Sequence, residues 1–340
     1  MTTTVGKSAL EEEWERAVRS HTRRRAWAWP RRDGRPGQDS CMLCQGPTEI
    51  VLDDTQDTRL GLPGRWDIVR CRQCGFEQTS PLLSAAQLTD LYEAHYNHGG
   101  EPGTRYARLR DRFFASPLYR LMLCLDGDIS FHTERGAGRR LLDIGCNEGR
   151  NLEFYRRAGF AAEGQEINSV AARTASDRGF AVHTASLAQL PPATYDRVVM
   201  SQVLEHVLDP VDTLRQCRRL LASDGELWIS VPNARSWQRQ VFGRRWINWH
   251  VPFHVSHFTA QSLTDVLHKA GFSIVAIKNA SPAAWMAQSV IASIRRKPRG
   301  RSALLLGALM LMAYAVVPLL WLGNRAGRGD CLIVKARTSR

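Results

Sequence analysis

The sequence lacks an N-terminal apolar segment behind a basic start, which is the pattern of a secretory signal. Its first residues, MTTTVGKSALEEEWERAV, contain no such apolar region. We therefore expect the chain to stay in the cytosol, where disulfides are rare. The eight cysteines are then expected to be thiols or metal ligands rather than disulfide partners.

Acidic residues are scarce relative to basic ones. Asp and Glu number 33 against 46 Lys and Arg, which gives a net charge of +13 and a pI of about 9.8. Such an excess favours an anionic partner, either nucleic acid or an acidic lipid surface, although a solvated basic surface with basic tails explains it equally well. The hydrophobic content of 44% and charged content of 23% are globular values.

No internal repeat is visible, and the composition changes several times along the chain. Alternating strand-like and helix-like segments between residues 139 and 280 predict a parallel sheet with helices on both faces. In this region we predict that helices end at Gly159, Gly179, Gly225 and near Ala270. The predicted organisation is a basic, mobile arm over 1–40, a cysteine-rich module over 41–80, helices over 81–137, an α/β domain over 138–280, an apolar insertion over 281–325, and a last strand and tail over 326–340.

The segment LLDIGCNEGR has the chemistry of a nucleotide-binding first turn. A buried strand ends at Asp143, and Gly145 and Gly149 let the backbone approach a ligand before a helix offers free N–H groups. Glu166 lies at the end of the next strand, about twenty residues on, where an acid can bind both ribose hydroxyls. Asn147 in place of the middle glycine, and the lack of a second nucleotide-binding half, argue against a dinucleotide.

Four segments together, DIGCNEG, GQEIN, YDRVVMSQVLEHVLDP and GELWISVPN, resemble the class I S-adenosylmethionine (SAM) methyltransferases. The resemblance is closest to the branch that includes ubiquinone-biosynthesis O-methyltransferases. It implies an α/β fold with a Rossmann-like sheet of seven strands, and SAM as the cofactor. It also implies the cofactor-binding residues: Asp143, Gly145, Cys146 and Gly149 along the methionine and ribose, Glu166 on the ribose hydroxyls, Ile167, Ser186 and Leu187 at the adenine, and Gln202 at the methionine end.

Two histidines are candidate catalytic bases for removing a proton from the methyl acceptor. His206 follows the fourth strand, at the sheet edge where ligands bind in this fold. His254 lies in NWHVPFHVSHFT, which is similar to a W…P-R-H-x-x-H-F-T pattern in methyltransferases with an N-terminal zinc ribbon. Phe253 replaces the arginine of that pattern. The alternative for each histidine is a structural hydrogen bond.

Two CxxC pairs, Cys41 with Cys44 and Cys71 with Cys74, have the spacing of a tetrahedral zinc site. Four thiolates leave no open position on Zn²⁺, so its predicted role is structural. The stretch from Trp66 to Tyr96 resembles the N-terminal module of zinc-ribbon methyltransferases, including those that act on nucleotide-linked sugars. The resemblance implies that the ribbon and its helices cap the substrate side, where Tyr92 or Tyr96 either reaches the active site or simply packs.

The sequence lacks the acidic or amide residue followed by two prolines and an aromatic that holds a nitrogen acceptor in many methyltransferases, and has SQVLEH instead. We therefore predict O- or C-methylation of a small molecule or of a glycan or lipid-linked acceptor. One alternative is an RNA methyltransferase that uses the zinc ribbon and basic arm. Another is a SAM-fold membrane adaptor without catalytic activity.

The uncharged stretch ALLLGALMLMAYAVVPLLWLG, residues 303–323, is long enough to span a membrane. CLIVKA follows it, and by the resemblance this is an antiparallel strand between the fifth and sixth strands, so one complete crossing would leave it on the wrong side. We therefore predict peripheral, monotopic attachment of residues 284–325 to the anionic inner face of the cytoplasmic membrane. A single span is the main alternative, and a buried helix or a dimer contact is another.

Overall fold

The structure is a computed structural model of the 340-residue chain. It describes residues 40–95, 105–114, 116–294, 312, 315 and 317–339. The predicted basic arm over 1–40, apart from its last residue, and most of the apolar stretch over 303–323 therefore lie outside the described residues, as does Tyr96.

A seven-stranded sheet forms the larger part of the fold. Its spatial order is β10-β11-β8-β7-β4-β5-β6, and every pair except those of β11 is parallel. β11 is antiparallel to both β10 and β8, which confirms the predicted position of CLIVKA. The strands are β4 (Arg140–Ile144), β5 (Ala161–Gln165), β6 (Val182–His183), β7 (Tyr195–Ser201), β8 (Leu221–Pro232), β10 (Phe272–Ala280) and β11 (Cys331–Thr338).

Helices cover both faces of this sheet, as the alternating sequence pattern predicts. They are α4 (Arg150–Arg157), α5 (Ser169–Asp177), α6 (Pro210–Leu220) and α8 (Ala260–Lys269). The predicted end of α6 at Gly225 is wrong: the helix ends at Leu220, and β8 begins at the next residue. Pairing of Leu221 with Tyr195 at the start of β7 draws residues 221–225 into the sheet.

A second, four-stranded sheet carries the two cysteine pairs. Its order is β1 (Thr48–Thr55), β2 (Trp66–Cys71), β3 (Glu77–Ser80) and β9 (Ser256–His257), all antiparallel. The first three strands belong to the predicted ribbon, but β9 comes from the segment that carries His254. The ribbon and the methyltransferase-like region thus share one sheet.

Three helices follow the ribbon: α1 (Ala85–His95), α2 (Arg105–Phe114) and α3 (Pro117–Asp126). The sequence pattern predicts one helical run over YARLRDRFFASPLYRLMLCL, whereas the structure breaks it between α2 and α3. The Ser116 hydroxyl accepts a hydrogen bond from the backbone N–H of Tyr119, and Pro117 occupies the first turn of α3, where proline starts a helix well.

Between β8 and β9 lies α7 (Trp237–Phe242), followed by two short 3₁₀ turns at Gly243–Arg245 and Ile247–Trp249. Between β10 and β11 lie α9 (Ala283–Ile294) and α10 (Val317–Arg325). Among the helices that the structure describes, none combines the length and the apolar character that a membrane span requires.

Candidate functional site

The glycine turn lies between β4 and α4, at the carboxyl edge of the sheet. Gly145 and Gly149 have φ values of 68° and 74°, in the left-handed region that glycine adopts without strain. A Cβ on Gly145 would lie 2.8 Å from Val203 Cγ2, and one on Gly149 would lie 2.9 Å from Ala175 Cβ. The turn therefore needs glycine both for its backbone conformation and for its close packing.

Asn147, where a glycine is usual in this motif, also has a positive φ, of 51°. Asparagine tolerates this conformation because its side chain bonds locally. Here Asn147 Oδ1 accepts a hydrogen bond of 2.8 Å from the N–H of Glu148. The departure from glycine is thus accommodated within the turn.

Glu166 links the glycine turn to the next βα connection. Its Oε2 accepts a hydrogen bond of 2.9 Å from the Asn147 N–H, and its Oε1 accepts one of 2.8 Å from the Asn168 N–H. Burial raises the pKa of this carboxyl, and the backbone donors oppose that effect. The carboxylate is held at the end of β5, where the sequence predicts a ribose-binding acid.

Asp143 is buried at the end of β4, and its Oδ2 has no hydrogen-bond partner among the described residues. Burial, with a further contribution from the charge of Glu166, raises the pKa of Asp143 to about 8. An orphaned buried carboxylate oxygen beside a glycine turn and a helix N-terminus fits a cationic, hydrogen-bonding ligand such as the methionine end of SAM.

The other predicted cofactor residues occupy different environments. Cys146 is buried in the apolar cluster beneath the turn, so its side chain packs in the core. Ile167, 66% exposed, and the exposed Ser186 lie at the outer part of the same edge, while Leu187 is half-buried against the core. Gln202 has a φ of 58°, and its Nε2 donates hydrogen bonds to Ser230 Oγ (3.1 Å) and Cys331 Sγ (3.4 Å).

The two candidate bases lie together. The ring centroids of His206 and His254 are 4.6 Å apart, and His250 lies 4.9 Å from His254. His206 belongs to the 3₁₀ turn Leu204–His206 that follows β7. Because Val203 packs against Gly145, this cluster begins next to the glycine turn.

Hydrogen bonds fix the orientation of His254. A carbonyl oxygen only accepts, so the contact of 2.8 Å between His254 Nδ1 and the Asn248 carbonyl places a proton on Nδ1. The lone pair is then on Nε2, which lies 3.9 Å from Glu205 Oε1. Burial, together with the nearby His206, lowers the pKa of His254 well below its usual value, so the ring is neutral at pH 7.

His206 is oriented in the same way. Its Nδ1 lies 3.0 Å from the Phe253 carbonyl oxygen and 2.5 Å from the Tyr92 hydroxyl. Burial lowers the pKa of His206 to about 3. Tyr92, on α1, therefore reaches this cluster, and of the two alternatives for Tyr92 the structure favours contact with the site over simple packing.

Glu205 is a further functional candidate that was not predicted from the sequence. Its side chain is 1% exposed, and neither carboxyl oxygen has a hydrogen-bond partner among the described residues. Burial raises the pKa of Glu205 to about 8. A charged residue inside the apolar run VLEHV was the available signal, since acids are almost never fully buried without a partner.

The ribbon positions the His254 segment through β3. The Thr79 N–H donates to the Val255 carbonyl (3.0 Å), and the Thr79 hydroxyl donates to the His254 carbonyl (2.6 Å). The same hydroxyl lies 2.9 Å from His257 Nε2. On the other side of this segment, the Val255 N–H donates to the Glu205 carbonyl.

A second ribbon residue, Arg59, bonds the turn that contains Asn248, whose carbonyl orients His254. Its Nη2 donates to Asn248 Oδ1 (3.0 Å) and its Nε to the Ile247 carbonyl (3.3 Å). The turn that presents Arg59 is held by buried Asp57, which accepts three backbone N–H bonds. Contacts from two parts of the ribbon thus converge on one histidine.

The four cysteines lie with their sulfur atoms within 4.8 Å of one another. Cys41 and Cys74 Sγ are 3.6 Å apart, and Cys44 Sγ lies 3.4 Å from Cys71 Sγ and 3.5 Å from Cys74 Sγ. Tetrahedral coordination with Zn–S bonds of about 2.3 Å places sulfurs about 3.8 Å apart. Backbone N–H groups of Leu43 and Gln73 also point at the sulfurs of Cys41 and Cys71, so the geometry and the donors fit a zinc ion.

Comparison with known families decides the family of the chain. A family model described as a methyltransferase domain matches residues 104–277, just over half of the 340 residues. The chain belongs to this family. The match confirms the expected class I SAM-dependent methyltransferase and its cofactor, whereas the zinc ribbon stays a prediction that the four-cysteine cluster supports.

Curated relatives match over part of their length. The chain is 31% identical over 147 residues to a ubiquinone biosynthesis O-methyltransferase of Pectobacterium carotovorum subsp. carotovorum (strain PC1), which covers 40% of this chain and 62% of that protein. It is 35% identical over 149 residues to a probable S-adenosylmethionine-dependent methyltransferase of Mycobacterium tuberculosis (strain ATCC 25618 / H37Rv), covering 42% and 52%. The chain thus spans between half and two thirds of the length of these relatives.

Solved structures similar to this chain include a SAM-dependent methyltransferase from Archaeoglobus fulgidus. It has a TM-score of 0.44 and 19% identity, and the match covers 69% of this chain and all of that one. A geranyl diphosphate C-methyltransferase from Streptomyces coelicolor A3(2) has a TM-score of 0.43 and 13% identity, with coverage of 71% and 88%.

Proposed function

We propose that this chain transfers a methyl group from SAM to an oxygen or carbon atom of a small-molecule, sugar or lipid-linked acceptor. The observation that carries the proposal is that the cofactor turn and the histidine cluster lie next to each other at one edge of the sheet. Gly145 of the cofactor turn packs against Val203, and the His206–His254 cluster begins three residues later. The name of the curated ubiquinone biosynthesis relative supports an oxygen acceptor.

In this proposal Asp143, Glu166 and the glycine turn hold SAM, with Ile167, Ser186 and Leu187 toward the adenine and Gln202 near the methionine. SAM supplies a methyl group on a sulfonium that is already a good leaving group. The protein therefore mainly has to align the acceptor with the methyl group and exclude water. His254 and His206, both neutral at pH 7, promote loss of the acceptor's proton.

The ribbon in this proposal holds a structural zinc ion through Cys41, Cys44, Cys71 and Cys74. Its task is to keep β3 in place, because β3 carries the Thr79 bonds to the His254 segment. Four sulfur ligands leave no position for an acceptor.

Attachment to an anionic membrane surface is part of the proposal, through the insertion between β10 and β11. Ala280 pairs with Cys331, so the insertion leaves and re-enters the sheet at neighbouring residues, which supports attachment from one side. At its described end, α10 exposes Leu319, Trp321 and Leu322, each more than half accessible. Tryptophan beside aliphatic residues is typical of surfaces that lie in a membrane interface.

Titration of SAM into the purified full-length chain, followed by calorimetry, tests the proposal. A hydrogen bond to a charged group is worth about 1.5–3 kcal/mol, so Glu166→Ala should weaken SAM binding about 10- to 150-fold. Glu163→Gln is the matched control, because Glu163 lies on β5, three residues before Glu166, but bonds Arg140, His183 and Tyr195 instead.

Methyl transfer is then measured with labelled SAM and three acceptor pools: a lipid extract, water-soluble metabolites and total RNA. Label in the first two pools supports the proposal, and label in RNA would select the RNA methyltransferase instead. An absence of SAM binding, or equal binding by the Glu166→Ala variant, would refute the proposed cofactor site.

A further inference from the structure

Asp330 is a fully buried carboxyl that lies directly before β11, where the connection between β10 and β11 ends. Its Oδ1 accepts hydrogen bonds from Ser236 Oγ and, at 2.8 Å, from Trp246 Nε1. Its Oδ2 accepts one of 3.1 Å from Asn248 Nδ2. We propose that Asp330 is a positioning residue for His254, and that it acts through Asn248 to keep the His254 proton on Nδ1.

Asn248 is the residue that joins Asp330 to His254. Its amide nitrogen donates to Asp330 Oδ2, and its amide oxygen accepts from Arg59 Nη2 at 3.0 Å. An ionised carboxyl only accepts and a guanidinium only donates, so these two partners determine which way the buried amide points. With its side chain held at both ends, Asn248 presents its backbone carbonyl oxygen to His254 Nδ1 at 2.8 Å.

The two residues before Asn248 are bonded to the same β10–β11 connection. Trp246 Nε1 donates to Asp330 Oδ1, and the Ile247 N–H donates to Ser289 Oγ on α9 at 3.1 Å. Three consecutive residues, 246 to 248, thus have hydrogen-bond partners in this connection. The carbonyl that bonds His254 belongs to the last of them, so its position depends on these contacts as well as on the ribbon.

The ionised form of Asp330 fits this role because all three side-chain partners donate. Burial raises the pKa of Asp330 to about 6, so at pH 8 the carboxyl is ionised and both of its oxygens accept. An amide of the same shape can keep the bonds from Ser236 and Trp246 with its oxygen. Its nitrogen then faces Asn248 Nδ2, donor against donor, and a flip of the Asn248 amide would only turn that mismatch toward Arg59.

The place of the His254 proton decides which ring nitrogen can act as a base. With the proton on Nδ1, the Nε2 lone pair can take a proton from the methyl acceptor, whereas the other tautomer has a hydrogen on Nε2. A catalytic histidine in the wrong tautomer loses much of its rate even when the surrounding geometry is intact. This consequence for turnover rests on the proposed function, but the tautomer itself does not.

Nitrogen NMR tests this inference without SAM or an acceptor. The full-length chain is labelled with ¹⁵N-histidine and kept at pH 8 with zinc, and the ring-nitrogen resonances show which nitrogen carries the proton. Those of His254 are identified by their loss in His254→Gln. We expect His254 to have its proton on Nδ1 alone in the wild type, and Asp330→Asn to contain both tautomers. In the methyl-transfer assay, Asp330→Asn should lower kcat about 10- to 100-fold and change KM less than about 3-fold.

A double variant separates this role from a general effect on packing. Asn248→Asp combined with Asp330→Asn exchanges the two side chains, so that the amide donates to the carboxylate and the carboxylate still accepts from Arg59. The double variant should regain the Nδ1–H tautomer and a kcat within about 5-fold of the wild type, whereas Asn248→Asp alone, which opposes two carboxylates, should not. Asp265→Asn, the same change at an exposed position of α8, should alter neither measurement.

An unchanged His254 tautomer in Asp330→Asn, or a double variant that behaves like the single ones, would overturn the inference. If Asp330→Asn does not fold, as judged by circular dichroism, Asn248→Ala takes its place, because it removes the amide and keeps the carbonyl, and the same mixture of tautomers is expected. Failure of the proposed function is distinguishable. A chain that binds SAM and keeps its tautomer in every variant rejects the inference alone, whereas a chain that binds no SAM rejects the proposed function.

Discussion

The Thr79 hydroxyl, which joins the ribbon to the His254 segment, gives the sharpest test of how the ribbon acts. Thr79 is 1% exposed, and its hydroxyl donates to the His254 carbonyl at 2.6 Å and contacts His257 Nε2 at 2.9 Å. Thr79→Val keeps the shape of the side chain and removes both contacts. A buried polar group left without its partner costs about 1–3 kcal/mol.

With two such groups, we expect Thr79→Val to lower the free energy of unfolding by about 2–4 kcal/mol. Because the His254 segment is then less firmly held, turnover should also fall, by about 10-fold or more. Urea unfolding at a saturating zinc concentration measures the first effect, so that metal loss does not contribute.

Two controls accompany this variant. Thr79→Ser keeps the hydroxyl and should retain most of the stability. Thr89→Val makes the same change at an exposed helical position, where the hydroxyl bonds only the Ala85 carbonyl, and should cost no more than about 0.5 kcal/mol. If Thr79→Val and Thr89→Val unfold at the same urea concentration, the Thr79 hydroxyl does not stabilise the contact between the ribbon and the His254 segment.

Three further outcomes are expected. His254→Ala should lower turnover about 100-fold or more in a methyl-transfer assay, whereas His268→Ala, at the exposed end of α8, should leave it unchanged; equal rates would eliminate the role of His254. Burial raises the pKa of Asp330 to about 6, so the folded state holds this proton more tightly than the unfolded state does. This difference contributes about 3 kcal/mol to the free energy of unfolding below pH 4, and the contribution should be lost as the pH rises to 6. The free energy of unfolding of Asp330→Asn, measured over the same pH range, should not show this decrease. Metal analysis of Cys44→Ser should show one zinc fewer per chain than the wild type, and an unchanged content would exclude the four-cysteine site.

Much of the methyltransferase sheet could be predicted because its signals are local. The strand that ends at Asp143, the glycines at 145 and 149, and the acid at 166 follow each other within one βαβ unit, where periodicity and turn chemistry act over short distances. The place of β11 between β10 and β8 was predicted from the family resemblance, since pairing across an insertion of about fifty residues has no local signal.

The contacts around His254 could not be predicted in this way. The hydrogen bonds from Thr79 and Arg59 join residues that are 175 or more positions apart. β9 has only two residues, too few to show any period. The sequence leaves open whether Tyr92 reaches the active site or packs, because its contact with His206 depends on how α1 packs, which helix periodicity does not determine.

The sharing of one sheet by the ribbon and the histidine segment limits how this protein can be divided or recombined. A chimaera that exchanges residues 41–80 alone would place a foreign β3 against the native β9 and lose the Thr79 contacts. The unit that can be exchanged between relatives is discontinuous: it consists of the ribbon together with the segment from Trp246 to His257. In evolution, substitutions on the two sides of this pairing are expected to occur together, even though they lie far apart in the chain.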